Sequence, residues 1–184
     1  YDAAVFGNHE FNYGKELLWN AVQQSNFPWL SANILNEETN EPYFGKPYFI
    51  KQFAEGVKVG VLGLTTPYIP NWEQAEHISG MVFENPVTVA KKWVPFLREK
   101  EKVDIVIVSY HGGFERDLDS GKPTEVLTGE NQGYELCQKV EGIDVLLTGH
   151  QHRLISGKQI HGVLVVQPGN KGIVLGKVKL QLKR

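Results

Sequence analysis

Three short apolar runs in this chain each end in a histidine beside glycine. They are Ala3-Ala4-Val5-Phe6 before Gly7-Asn8-His9-Glu10, Ile105-Val106-Ile107-Val108 before Ser109-Tyr110-His111-Gly112-Gly113, and Val145-Leu146-Leu147 before Thr148-Gly149-His150-Gln151-His152. Aliphatic and β-branched runs without alternation read as strands buried on both faces, the kind found in sheets covered by helices. In such folds ligands gather outside the carboxyl ends of neighbouring strands, so polar turns far apart in sequence can meet there. An α/β class is therefore expected, and the convergence of three histidine-bearing turns points to a metal-dependent hydrolase.

The remaining elements agree with parallel crossover units. Lys15 to Gln24 carries Leu17, Leu18, Ala21 and Val22 at helical spacing. Trp29 to Asn33 reads as a short strand, and Tyr48 to Ile50 with Val57 to Leu62 as a hairpin joined by Ala54-Glu55-Gly56. A long irregular stretch, Thr65 to Val82, is a candidate functional loop by its length. Pro86 to Lys100 has Asn85 as a cap and Val89, Trp93 and Leu97 on its inner face, with Pro95 expected to kink or divide it. Gln132 to Val140 reads as a further helix. Val163 to Gln167 and Ile173 to Leu182 read as adjoining strands, the last alternating Val178, Leu180 and Leu182 against Lys177, Lys179, Gln181 and Lys183. One domain of 184 residues is expected.

Composition narrows the function classes. With 41% apolar residues and 11% aromatics the chain has the material for a core. A formal charge of −2 without a basic stripe argues against a nucleic-acid polymer as partner. Small anionic substrates remain compatible, because bound cations reverse a local field. No run reaches the roughly 18 apolar residues of a transmembrane segment. The lone Cys137 sits in a helical pattern with no activating neighbour and reads as a packed thiol.

Each histidine is weak evidence alone. His77 and His161 lie in turn-like contexts and read as surface residues. Gly7-Asn8 alone reads as a turn, and His111-Gly112-Gly113 as a loop entry. What raises Asn8, His111, His150 and His152 above these bland readings is their equivalent placement at three strand ends. An amide oxygen among imidazoles suits Mn, Fe, Co or Zn better than a metal that selects thiolates.

The motifs Gly7-Asn8-His9-Glu10-Phe11-Asn12-Tyr13-Gly14, Ser109-Tyr110-His111-Gly112-Gly113 and Gly149-His150-Gln151-His152 resemble the calcineurin-like metallophosphoesterases. Phe27 to Asn33 and Pro70-Asn71-Trp72-Glu73 support the likeness. Within the family, the chain is most similar to the 5′-nucleotidase and 2′,3′-cyclic-nucleotide 2′-phosphodiesterase group. The resemblance implies a metallophosphatase sandwich of two mixed β-sheets flanked by helices, incomplete at the N-terminus, with two divalent ions and a small nucleotide substrate. It places Asn8, His111 and His150 on one ion and His152 on the other, with His9 as the catalytic group that stabilises the phosphoryl transition state or protonates the leaving oxygen. Relatives with a simple 5′-nucleotidase activity often carry Asp three residues after that histidine. Asn12 stands there in this chain as a catalytic-site amide that could orient His9 without supplying a negative charge, which looks more like the cyclic phosphodiesterase branch. Exported or wall-attached locations, extracellular or periplasmic, are common in the group. Oligomeric state is not readable from these residues.

Two sites of this type need about six protein donors, and Asn8, His111, His150 and His152 supply four. The family draws the others from an upstream Asp-x-His turn and a Gly-Asp turn with a bridging aspartate. Asp2 lies at the far end of a strand, and Glu10 and Glu115 match no ligand position. The chain, residues 1–184, therefore reads as a partial catalytic domain, with its upstream part and a C-terminal substrate domain outside it. Weak binding of one ion and little turnover are expected of it alone. Three readings follow: a phosphoesterase acting on cyclic 2′,3′-phosphodiesters, or secondarily on 5′-monophosphates or sugar-nucleotides; a non-catalytic remnant of the fold; and a hydrolase of another class, which would need a carboxylate at a strand end.

Overall fold

The computed structural model describes residues 1–182. Strand β1 (Ala4–Val5) leads through a single 3-10 turn, Asn8–Phe11, into α1 (Lys15–Gln24). There follow β2 (Trp29–Leu30), β3 (Ile34–Asn36), β4 (Tyr48–Gln52) and β5 (Lys58–Thr65). Then come α2 (Ala75–Ile78), β6 (Met81–Phe83), α3 (Pro86–Glu99) and β7 (Ile105–His111). The last elements are α4 (Gly133–Lys139), β8 (Val145–Thr148), β9 (Leu154–Ile160) and β10 (Val163–Pro168).

The main sheet has six strands in the order β4-β5-β7-β8-β10-β9. Its inner four run parallel, and β4 and β9 are antiparallel edges. Two small sheets, parallel β1-β2 and antiparallel β3-β6, complete the expected mixed α/β architecture. Because β5, β7 and β8 are parallel, Thr65 pairs with His111 and Tyr110 with Thr148 at one end of the sheet. The turns after β7 and β8 therefore leave side by side.

Helices α3 and α4 bury one face of the sheet. Val87, Val89, Ala90, Val94 and Leu97 pack with Leu62, Leu64, Val106, Val108 and Leu146 in a single apolar cluster. Asn85 caps α3 by accepting from the Val87 and Thr88 amides at 2.9 and 3.0 Å. Pro95 does not divide this helix. Its ring faces solvent, where water can satisfy the Lys91 carbonyl that loses its partner. A second, aromatic-rich cluster of Phe6, Phe11, Leu18, Ile34, Phe44 and Ile69 lies under the N-terminal turn.

Three readings need correction. The central strands are fully covered on one face and only partly on the other: Val106, Val108 and Tyr110 are buried, whereas on the second face Ile105 and Val145 are buried but Ile107, Ser109 and Leu147 are half-buried and line a cavity of about 390 Å³ with Val5, Val61 and Phe49. On α1, Leu18 and Val22 pack inward while Leu17 and Ala21 are exposed, so the apolar face is narrower than its spacing implied. The strand expected at 173–182 has no ladder, and Ile173 and Leu175 are 78% and 91% exposed. The partner of β10 is instead β9, a polar segment with Gly157 that alternation did not mark. Lys183 lies outside the described residues.

Candidate active site

The turn after β1 is fixed from within. The Gly7 amide donates to Glu10 Oε2 at 2.6 Å, closing residues 7–10 on themselves. A Cβ on Gly7 would lie 2.6 Å from His111 Cε1, so the absence of a side chain lets this turn seat against the end of β7. Gly14, at φ +84°, adopts a conformation that a side chain would strain and thereby starts α1.

Three of the expected ligands meet. His111, the last residue of β7, has Nε2 2.9 Å from Asn8 Oδ1. The His150 ring stands 5.4 Å from that of His111, edge to face. His150 Nε2 lies 2.9 Å from Glu130 Oε1, a carboxylate that sequence reasoning did not identify. Glu130 comes from the long segment between β7 and α4, and only the tertiary fold brings it to the strand ends. His152 is exposed and stands outside these contacts, although it is near enough to bear electrostatically on His111.

The turn after β8 is held by its backbone. His150 and His152 sit at φ +65° and +58°, in the left-handed region that non-glycine residues seldom occupy. Buried Gln167 locks that shape by donating to the Gly149 carbonyl at 2.8 Å and accepting from the Arg153 amide at 2.6 Å. Gln151, between the two histidines, exchanges hydrogen bonds of 2.9 and 3.0 Å with the backbone of Phe114. The polar residue inside His-x-His thus ties this turn to the loop after β7.

His9 Nδ1 contacts Asn12 Oδ1 at 2.7 Å. Asn12 Nδ2 in turn donates to Glu73, whose other oxygen lies 3.1 Å from His77 Nδ1. His77 is accordingly a half-buried partner of Glu73 and not the free surface residue its context suggested. His161 is exposed, as expected. The segment 65–82 contains this contact network, and its Trp72 ring lies 5.4 Å from that of His150.

Electrostatics favour neutral imidazole at the centre. Burial pushes His111 down to about 4, and His150, His9 and His152 add to the effect. A neutral ring offers a lone pair to a cation. Asn8 Oδ1 and His111 Nε2, 2.9 Å apart with the His150 ring beside them, are donor types that a divalent ion such as Mn, Fe, Co or Zn accepts. Among the described residues no three His, Cys, Asp or Glu side chains form a metal-binding group by themselves.

The remaining polar candidates have structural roles. Glu115 is buried and accepts from the Tyr134 and Glu135 amides at 3.1 and 2.9 Å at the start of α4. Asp2 pairs with Lys51 at the opposite end of the sheet. Burial pushes the Cys137 thiol up to about 12, in keeping with a packed side chain.

Comparison with known proteins defines the class. Residues 2–154 match the calcineurin-like phosphoesterase family, and the chain belongs to it. It is 36% identical, over 99% of its length, to a 2′,3′-cyclic-nucleotide 2′-phosphodiesterase/3′-nucleotidase of Salmonella typhimurium, of which it spans 30%. A crystal structure of a proposed 5′-nucleotidase from Staphylococcus aureus superposes with TM-score 0.86 and 42% identity, covering 94% of this chain and 33% of that one. The calcineurin-like phosphoesterase YfkN of Bacillus subtilis superposes with TM-score 0.76 and 30% identity, covering 92% and 54%. The chain thus spans about a third of the curated phosphodiesterase it matches. Among the described residues no helix is long and apolar enough to cross a membrane.

Proposed function

We propose that this chain contributes four of the roughly six protein ligands of a two-metal centre that hydrolyses phosphate esters of nucleotides, with 2′,3′-cyclic diesters as preferred substrates. The observation that carries the reading is the meeting of Asn8 and His111 at 2.9 Å beside the His150 ring, with His9 on the same turn. The identity to a cyclic-nucleotide phosphodiesterase supports the choice of substrate. A 5′-nucleotidase activity is the second reading, supported by the Staphylococcus aureus neighbour.

Asn8, His111 and His150 would hold one ion, and His152 would serve the other together with upstream carboxylates. Such an ion pair supplies charge neutralisation on the phosphoryl oxygens and a water acidic enough to ionise near neutral pH. His9 keeps Nδ1 on Asn12, leaving Nε2 to protonate the ribose oxygen that departs. Neutral His111 retains a donor lone pair at that pH. A further domain C-terminal to these residues would select among nucleotides.

The test compares this chain with a polypeptide extended upstream through the two aspartate-bearing turns. Manganese binding by calorimetry and turnover of 2′,3′-cyclic AMP and 5′-AMP are measured for both. The extended form is expected to turn over the cyclic diester at least 10-fold faster than the short one, as a catalytic constellation deprived of ligands loses rate steeply. Equal rates would refute the ligand count. Turnover of 5′-AMP alone would refute the substrate choice.

A further inference from the structure

We propose that Glu73 is the positioning residue for His9, acting through the amide of Asn12. The inference rests on the reading of His9 as the proton donor. A carboxylate can only accept hydrogen bonds at neutral pH. Its contact with Asn12 therefore assigns the amide nitrogen to the Glu73 side and turns Oδ1 toward His9. An amide oxygen also only accepts, so His9 Nδ1, 2.7 Å away, must carry a proton. The chain of contacts thus selects the Nδ1–H tautomer and leaves Nε2 as the atom that exchanges a proton with substrate. Without Glu73, the Asn12 amide could turn over and present its nitrogen to Nδ1, which would select the opposite tautomer.

The carboxylate itself is well held. The Glu73 side chain is only 8% exposed and its second oxygen is 3.1 Å from His77 Nδ1. Its backbone amide donates to the Ile69 carbonyl at 3.1 Å, and Ile69 is fully buried. The residue before it, Trp72, lies against His150, so one short segment braces both the proton-transfer histidine and a ligand histidine. A negative charge that in other arrangements would sit directly on the histidine is here placed one amide further away.

The first experiment reads the tautomer of His9 by nitrogen-15 correlation spectroscopy of the metal-free chain, histidine-labelled, at mildly alkaline pH where free imidazole is neutral. The wild-type chain should show His9 as the Nδ1–H form. Glu73→Ala should shift it toward the Nε2–H form, and Glu73→Gln, which keeps an acceptor oxygen of similar reach, should hold the Nδ1–H form. A wild-type spectrum dominated by the Nε2–H form overturns the proposal without any variant having to fold. An unchanged tautomer in folded Glu73→Ala overturns it equally.

The second experiment uses the upstream-extended, manganese-loaded polypeptide. Glu73→Ala should lower kcat about 10-fold with KM within about twofold, the loss expected when a proton-transfer group is misaligned but substrate contacts persist. In an Asn12→Asp background there is no amide to orient, and Glu73 faces a like charge. There Glu73→Ala should leave kcat unchanged or raise it. Equal losses in the two backgrounds overturn the proposal. If the wild-type polypeptide hydrolyses no phosphate ester while the tautomer behaves as stated, the functional reading fails and the positioning role stands.

Discussion

The turns after β1 and β8 each bring a histidine to the same centre, but they are built by different means. Residues 7–12 are held by side chains: Glu10 returns to Gly7, Asn12 to His9, and Glu73 to Asn12. Residues 149–152 are held by a backbone bent twice into the left-handed region and clamped by Gln167. Hydrogen bonds to a ring nitrogen decide which tautomer carries the proton, as a general acid requires. A strained backbone decides where a ring points, and here it sets His150 Nε2 against Glu130. The first turn carries the candidate proton-transfer histidine together with Asn8, and the second carries the two candidate ligand histidines of the proposed centre.

Four measurements can break or sharpen this contrast. His9→Ala in the upstream-extended polypeptide is expected to lower kcat by about 10²–10⁴-fold, the usual contribution of general acid catalysis, with manganese affinity unchanged. Loss of metal from that variant would erase the distinction between the turns. Conversely, His150→Ala should weaken manganese binding by more than the roughly 10–100-fold that loss of an outer-shell partner costs. Calorimetric titration reads this directly, and wild-type affinity would remove His150 from the ligand set.

His111 lies between the turns and reports on their shared centre through pH. Its pKa falls from 6.5 to about 4 in the fold, so between these values the unfolded chain binds more protons. Stability is therefore full above about pH 6.5 and declines as pH falls toward 4. After allowance for the partial exposure of the ring, the loss should be about 2 kcal/mol for the metal-free chain. Urea midpoints across that range measure it, and His111→Gln should flatten the slope.

The smallest effects concern the backbone. His152→Gly should raise stability by about 0.5 kcal/mol, because relief of the left-handed strain is offset in part by added freedom of the unfolded chain. Gly14→Ala, at a position where φ is already positive, should instead cost about 1 kcal/mol. Thermal unfolding of the two variants distinguishes a turn that tolerates strain for its side chain from one that avoids it.

Legibility followed the range of the interactions. Lys15 to Gln24 could be delimited from periodicity, and Pro86 to Lys100, one residue beyond the observed end at Glu99, from periodicity and the Asn85 cap, since those signals lie within a few residues. Asn8, His111 and His150 could be nominated because each ends a recognisable strand. Glu73 and Glu130 could not, as each reaches its partner across a fold that places no local mark on it: Asn12 is 61 residues from Glu73, and His150 is 20 from Glu130. The length of the 65–82 segment and the Pro70-Asn71-Trp72-Glu73 motif within it were the available hints of the former. The segment 173–182 misled for the opposite reason, having the alternation of a strand without an edge to join.

The sequence by itself determined the α/β class, the three polar turns and the donor types that converge, because these follow from side-chain period and residue chemistry. Only the tertiary structure decided which atoms face one another. It set Asn8 against His111, turned His150 toward Glu130 and placed Glu73 behind Asn12. Those contacts depend on the packing of parallel strands and long loops, whose cost is chain entropy and whose benefit appears only after distant segments have met.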